Sequence, residues 1–127
     1  MSAAKPLRVV VAGLGNMGRS HALAYATNPG FEIAALVNRS DVPLPGPLAG
    51  HPIRKEAFKD VIRAEKADVA AIATYSDSHA DYAVAAFEAG CHVFVEKPLA
   101  TTVADAERVV AAAKANGRKL VIGYILR

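Results

Sequence analysis

A doubly wound α/β fold, one domain in which a parallel sheet carries helices on both faces, is what this sequence predicts, on three observations. Short apolar runs alternate along the chain with stretches whose apolar residues recur at helical spacing, the pattern of a parallel sheet joined by crossover helices. A glycine-rich turn, Gly13-Leu14-Gly15-Asn16-Met17-Gly18, lies between the first strand-like run and the first helix-like one. The 127 residues, 53% hydrophobic and 21% charged, suffice for one packed globular core, so residues 1–127 read as a single domain.

The elements follow in order. Leu7 to Ala12 is apolar and short, a buried strand, and Arg19 to Thr27 after the glycine turn reads as a helix. Phe31 to Val37 is the second strand. Ser40 to Pro52 holds four prolines and two glycines where a second crossover helix often stands, which predicts a loop with at most one helical turn. A short strand is expected around Ile53. Phe58, Val61 and Ile62 mark one face of the next helix. Val69 to Thr74 is a strand, followed by a helix whose apolar face is Ala80, Ala83, Val84 and Phe87. His92 to Val95 and Lys119 to Tyr124 are the last strands, and Val103, Ala106, Val109, Val110 and Ala113 give the helix between them. Gly90 and Gly117 stand where left-handed residues end helices.

Composition excludes several classes. No uncharged stretch approaches the roughly 18 apolar residues of a membrane span, and Met1 to Pro6 lacks the apolar segment and cleavage site of a secretory signal. The single Cys91 cannot form an internal disulfide, which suits a reducing, cytoplasmic setting. A net charge of +3 is scattered, without a basic cluster or interleaved aromatics, so no nucleic-acid partner is expected. No Cys, His and carboxylate group has metal spacing, so no metal is expected, and the oligomeric state is not read.

The glycine turn carries the clearest chemistry. Gly13 permits the tight exit from the strand, Gly15 lets backbone approach a pyrophosphate, and Gly18 lets the helix pack against the strand. With Asn16 and Met17 they form the candidate phosphate cradle, where the helix N-terminus presents unpaired N–H groups to an anion. A ribose contact is expected about 20 residues later, in Asn38-Arg39-Ser40. An acidic residue there would bond the ribose hydroxyls and repel a 2′-phosphate. Asn38 removes the repulsion, Arg39 offers a planar donor fork, and Ser40 adds a hydroxyl and an N–H. The expectation is NADP(H) over NAD(H), against a simpler account in which Arg39 is solvated and Asn38 bonds the ribose of NAD.

Two further segments join this turn: Ala73-Thr74-Tyr75-Ser76-Asp77-Ser78-His79, and Ala86 to Ala100, which contains Glu96-Lys97-Pro98-Leu99. In this order the three motifs resemble the glucose-fructose oxidoreductase and inositol dehydrogenase (Gfo/Idh/MocA) family over essentially the whole chain, and Glu96-Lys97-Pro98 is the most specific part. The resemblance implies a Rossmann domain of an NAD(P)-dependent oxidoreductase of sugars, polyols or related compounds. It also implies a C-terminal substrate domain on a large open sheet, beginning near Arg127, with an Asp-x-x-x-His pair that these residues do not supply. The chain by itself is then expected to bind cofactor with little or no turnover. The resemblance further implies a cis bond before Pro98 and a loop beside the nicotinamide that includes Thr74, Tyr75 and His79, although the family's usual proline is replaced by Tyr75.

Lys97 also has an argument of its own. A lysine leaving the carboxyl end of a parallel strand points into the crevice where ligands of such sheets bind. There its ammonium can hold a substrate hydroxyl and stabilise the oxygen as hydride leaves carbon. A surface lysine paired with Glu96 accounts for position alone equally well; the resemblance favours the catalytic role. Glu96, grouped with the cofactor-side residues, is expected to fix the strand end or the lysine. Ser76 or Asp77 is a candidate helix cap, and His79 is as well explained by structure as by ligand contact. Tyr124 and Arg127 either face substrate or serve packing. Two other functions stay open: a non-enzymatic NADP or sugar sensor, and a cofactor-binding module without turnover.

Overall fold

In the computed structural model, residues 5–123 are described. Six parallel strands run in the order β3-β2-β1-β4-β5-β6, where β1 is Leu7–Ala12, β2 Phe31–Val37, β3 Ile53–Arg54, β4 Val69–Ile72, β5 His92–Glu96 and β6 Leu120–Gly123. Chain order reverses between β1 and β4, which opens a crevice at their carboxyl ends. Four helices make the crossovers: α1 (Asn16–Thr27), α2 (Phe58–Glu65), α3 (His79–Glu88) and α4 (Val103–Asn116).

The period-2 alternation of the strands divides the core between the two faces. Val10, Ala12, Ile72 and Val95 point to one face, where Val61 and Ile62 of α2, Phe87 of α3 and Val109 of α4 cover them. Val9, Val11, Leu36 and Ala71 point to the other, covered by Ala22 of α1 and by Leu48. Leu48 lies in the single 3₁₀ turn, Gly46–Leu48, of the proline-rich loop, so a fully buried leucine substitutes for the missing crossover helix.

Local chemistry sets the ends. Gly117 (φ 62°) closes α4 in the left-handed region, and the Thr102 hydroxyl accepts the Asp105 N–H at 3.1 Å to cap its start. At the amino ends of the strands Arg8 pairs with Glu32 (2.8 Å) and Glu65 (3.2 Å), opposite the crevice. The expected strand at Val69 to Thr74 stops at Ile72, and α1 begins three residues before Arg19, inside the glycine motif.

Candidate dinucleotide site

The glycine turn is built from three different constraints. Gly13 has φ +88°, and a Cβ there would lie 2.5 Å from the Ala73 carbonyl oxygen. At Gly18 a Cβ would lie 1.7 Å from the Gly13 carbonyl oxygen, so α1 rests on the turn with backbone against backbone. At Gly15 a Cβ would meet nothing within 4 Å: the space beside it is an open cradle. No side chain caps α1 at Gly15, and its first turn holds no acidic residue. The leading N–H groups, at Asn16, Met17 and Gly18, are those that helix geometry leaves without an intrahelical acceptor. This donor set fits a pyrophosphate.

A cleft of about 600 Å³ continues from the cradle. It brings together Gly13, Gly15, Asn38, Arg39, Ser40, Thr74 and Tyr75, while Asn16, Met17 and Gly18 adjoin it at the start of α1. Asn38 does more than abolish a carboxylate. Its Oδ1 accepts the Leu14 N–H at 3.0 Å and its Nδ2 donates to the Ser40 carbonyl at 2.8 Å, so it ties the glycine turn to the end of β2. Arg39 is exposed and forms no ion pair with any described residue. Lys55 and Glu56, from the end of β3, line the same cleft and were not singled out from sequence. Arg54 grips Glu56 at 2.6 Å and holds its carboxyl below the usual range.

On the β4 side, Tyr75 is 77% exposed at the cleft mouth. The loop behind it is held by Thr74 Oγ1 against Ser78 Oγ (2.6 Å) and by Ser78 Oγ donating to the Tyr75 carbonyl (2.7 Å). Neither Ser76 nor Asp77 caps the following helix. These residues form a 3₁₀ turn, Ser76–Ser78, and α3 starts without a side-chain cap. His79 is the one buried polar side chain among the described residues, 1% exposed. Its Nδ1 faces the Pro98 carbonyl at 2.7 Å and its Nε2 the Thr74 carbonyl at 3.0 Å. Both ring nitrogens face main-chain carbonyls behind the cleft wall, which accounts for the burial of the imidazole.

Lys97 is exposed at the end of β5, and the bond to Pro98 is cis. The register pairs Ile72 with Val95, which sets Thr74 level with Lys97 one strand over. The cleft is lined as far as Thr74 and Tyr75 on this side, and Lys97 is not one of its lining residues. The Lys97 backbone N–H donates to the Gly123 carbonyl at 3.1 Å. Glu96 turns toward the α1 face, where its Oε1 bonds His21 Nε2, and the His21 ring packs edge-on against Phe94 with centroids 4.9 Å apart. A Cβ at Gly123 would come within 2.8 Å of Phe94 Cζ and 3.3 Å of Glu96 Oε1, so a side chain there would press on this cluster. For His21 no local signal announces a partner 75 residues away.

Among the described residues no group of three or more His, Cys, Asp or Glu side chains is placed to hold a metal, and no helix is long and apolar enough to cross a membrane. His92 serves the sheet edge, its Nδ1 accepting the Lys119 N–H at 3.0 Å. Tyr124 and Arg127 lie outside the described residues.

Comparison with known proteins agrees with this geometry. The model of the Gfo/Idh/MocA oxidoreductase family, NAD-binding Rossmann fold, matches residues 7–124. Inositol 2-dehydrogenase of Salmonella typhimurium is 34% identical over 126 residues, covering 95% of this chain and 38% of that protein. Inositol 2-dehydrogenase 3 of Saccharopolyspora erythraea is 35% identical over 125 residues, covering 95% and 37%. The crystal structure of myo-inositol 2-dehydrogenase from Lactobacillus plantarum superposes with a TM-score of 0.82 at 25% identity, over 94% of this chain and 36% of that one. The chain thus spans little more than a third of the length of the curated relatives it matches.

Proposed function

The chain belongs to the Gfo/Idh/MocA oxidoreductase family, and from that membership we propose that it is the NADP(H)-binding part of a dehydrogenase acting on a polyol, sugar or related hydroxy compound. The observation that carries the cofactor choice is the β2 end: an Arg39 with no ion pair to any described residue, beside Ser40, with Asn38 where a carboxylate would repel a 2′-phosphate. The Asn38 amide is committed to Leu14 and Ser40, which leaves Arg39 as the group free to meet charge. The names of the relatives, inositol 2-dehydrogenases, support the polyol class.

The residues divide the work by position. The N–H groups at the start of α1 bind the pyrophosphate, Arg39 and Ser40 the adenosine end, and the Thr74 and Tyr75 wall the far end of the cleft. The bound nicotinamide supplies the hydride acceptor or donor. Lys97 then holds the substrate oxygen by its ammonium group and stabilises it as the carbon centre changes oxidation state, while the hydroxyl proton passes to the Asp-x-x-x-His pair that the resemblance implies in the remainder of the protein. Glu96, fixed by His21, and the Gly123 carbonyl hold the strand end from which the lysine leaves. Chemistry and water exclusion need the remainder of the longer protein we propose, so the 127 residues alone bind cofactor with little turnover.

Titration of NADPH and NADH into wild type and Arg39→Ala tests the assignment. A charge-assisted contact of about 1.5 to 3 kcal/mol gross, reduced where solvent screens the exposed Arg39, predicts tighter NADPH binding and a loss confined to NADPH in the variant. Equal wild-type affinities, or equal losses for both cofactors, refute it.

A further inference from the structure

The β2 end is not the whole of the 2′-phosphate subsite. Val37 pairs with Arg54, and the Asn38 N–H donates to the Arg54 carbonyl at 3.1 Å, so Lys55 stands across from Asn38 at the carboxyl end of the neighbouring strand. Lys55, Arg39 and Ser40 line one cleft. Two carboxylates share this rim and have different standing. Glu56 is gripped by Arg54, which is itself fixed by Glu65 at 2.9 Å, so its charge is balanced. Asp41 holds the Lys55 Nζ at 3.0 Å through a pair whose side chains are 79% and 50% exposed. An exposed pair of this kind is worth at most about fivefold in an equilibrium constant, because water competes for both partners. Asp41 belongs to the proline-rich loop, and its carboxylate can turn to solvent without breaking any other described contact.

We propose that Lys55 is the second cation of the 2′-phosphate subsite and Asp41 its built-in competitor, so that this pair sets how strongly the cleft prefers the phosphorylated cofactor. The inference rests on the reading of the cleft as an NADP(H) site. A phosphate dianion seated at Arg39 and Ser40 is half neutralised by Arg39 alone. Lys55 completes the neutralisation once it leaves Asp41, and a carboxylate left nearby opposes the phosphate. NADH brings no charge to this rim and is indifferent to both residues.

The test measures the affinities of NADPH, NADH, 2′,5′-ADP and 5′-AMP on the 127-residue chain for wild type, Lys55→Met and Asp41→Asn. Lys55→Met is expected to weaken NADPH and 2′,5′-ADP about tenfold, to change NADH and 5′-AMP by less than about twofold, and to flatten the salt dependence of NADPH binding. Asp41→Asn is expected to tighten NADPH severalfold and leave NADH unchanged. Retained NADH binding is the control for folding. A wild type that prefers NADPH, with Lys55→Met weakening both cofactors alike or neither, overturns the role of Lys55 while the NADP(H) reading stands. A wild type with no preference for NADPH overturns both.

Discussion

Two glycines of one motif, three residues apart, should fail in opposite ways when a side chain is added. At Gly18 a Cβ would lie 1.7 Å from the Gly13 carbonyl oxygen, roughly half a normal contact distance, and that oxygen belongs to backbone and cannot rotate away. Relief requires α1 to lift by about 1.5 Å. Overpacking of movable side chains already costs about 1 to 3 kcal/mol, so Gly18→Ala should cost at least about 3 kcal/mol. For a domain of this size that lowers Tm by about 10 to 15 °C. At Gly15 (φ −69°, ψ −169°) the backbone is extended and a Cβ meets open space. Gly15→Val should therefore change stability by about 1 kcal/mol at most, the scale of a helix-cap preference. Its isopropyl group fills the cradle instead. Losing two N–H contacts to phosphate at about 1.5 kcal/mol each removes about 3 kcal/mol, more than a hundredfold in Kd. Thermal melts followed by circular dichroism and calorimetric titration with NADPH separate the two. A Gly18→Ala domain that melts with wild type refutes the close approach, and a folded Gly15→Val domain that binds NADPH unchanged refutes the cradle.

Two further expectations follow from the structure. In a longer chain carrying the substrate domain, Lys97→Met should bind NADPH nearly as wild type and lose about 10²- to 10⁴-fold in kcat, the range of general acid–base groups; steady-state kinetics with a polyol panel would show otherwise if turnover persisted. Burial, with the Asp68 carboxylate adding to it and Arg118 opposing it, pushes the Cys91 thiol from 9.0 up to about 11. Since the folded thiol holds its proton where the unfolded one has lost it, the stability it confers is full below pH 9 and is lost as pH rises from 9 to 11. Up to about 2 to 3 kcal/mol should disappear in that window relative to Cys91→Ala, read by urea unfolding at each pH.

Much of this was legible from the order of residues alone, for reasons that can be stated. Strand and helix periods differ, so Val9 to Ala12 and the Val109 face declare their elements locally. The prolines between Ser40 and Pro52 exclude a helix by covalent geometry, and the single 3₁₀ turn there agrees. Gly13 and Gly18 announce a strand, a turn and a helix because backbone contact admits no side chain. What escaped is what strand order assembles. Lys55 joins Arg39 because β3 lies beside β2, and Glu96 meets His21 because both stand on the α1 face of the sheet. The hydrogen bonds of the Asn38 side chain escape local reading for a related reason: its Leu14 partner is 24 residues away, and only the folded turn aims that N–H at the amide.

The two carbonyls that meet His79 come from different walls of the crevice, Thr74 from the end of β4 and Pro98 from the turn after β5. An aromatic ring does not stretch or fold, so it acts as a strut of fixed length between them. Neither wall can close on the other without pressing on the ring, and the wall that accepts the ring's N–H cannot draw away without breaking a hydrogen bond inside the protein, where water is not at hand to replace it. The cofactor-side loop and the turn that carries Lys97 are in that sense a single mechanical part, and what settles against Thr74 also sets the platform from which the lysine reaches.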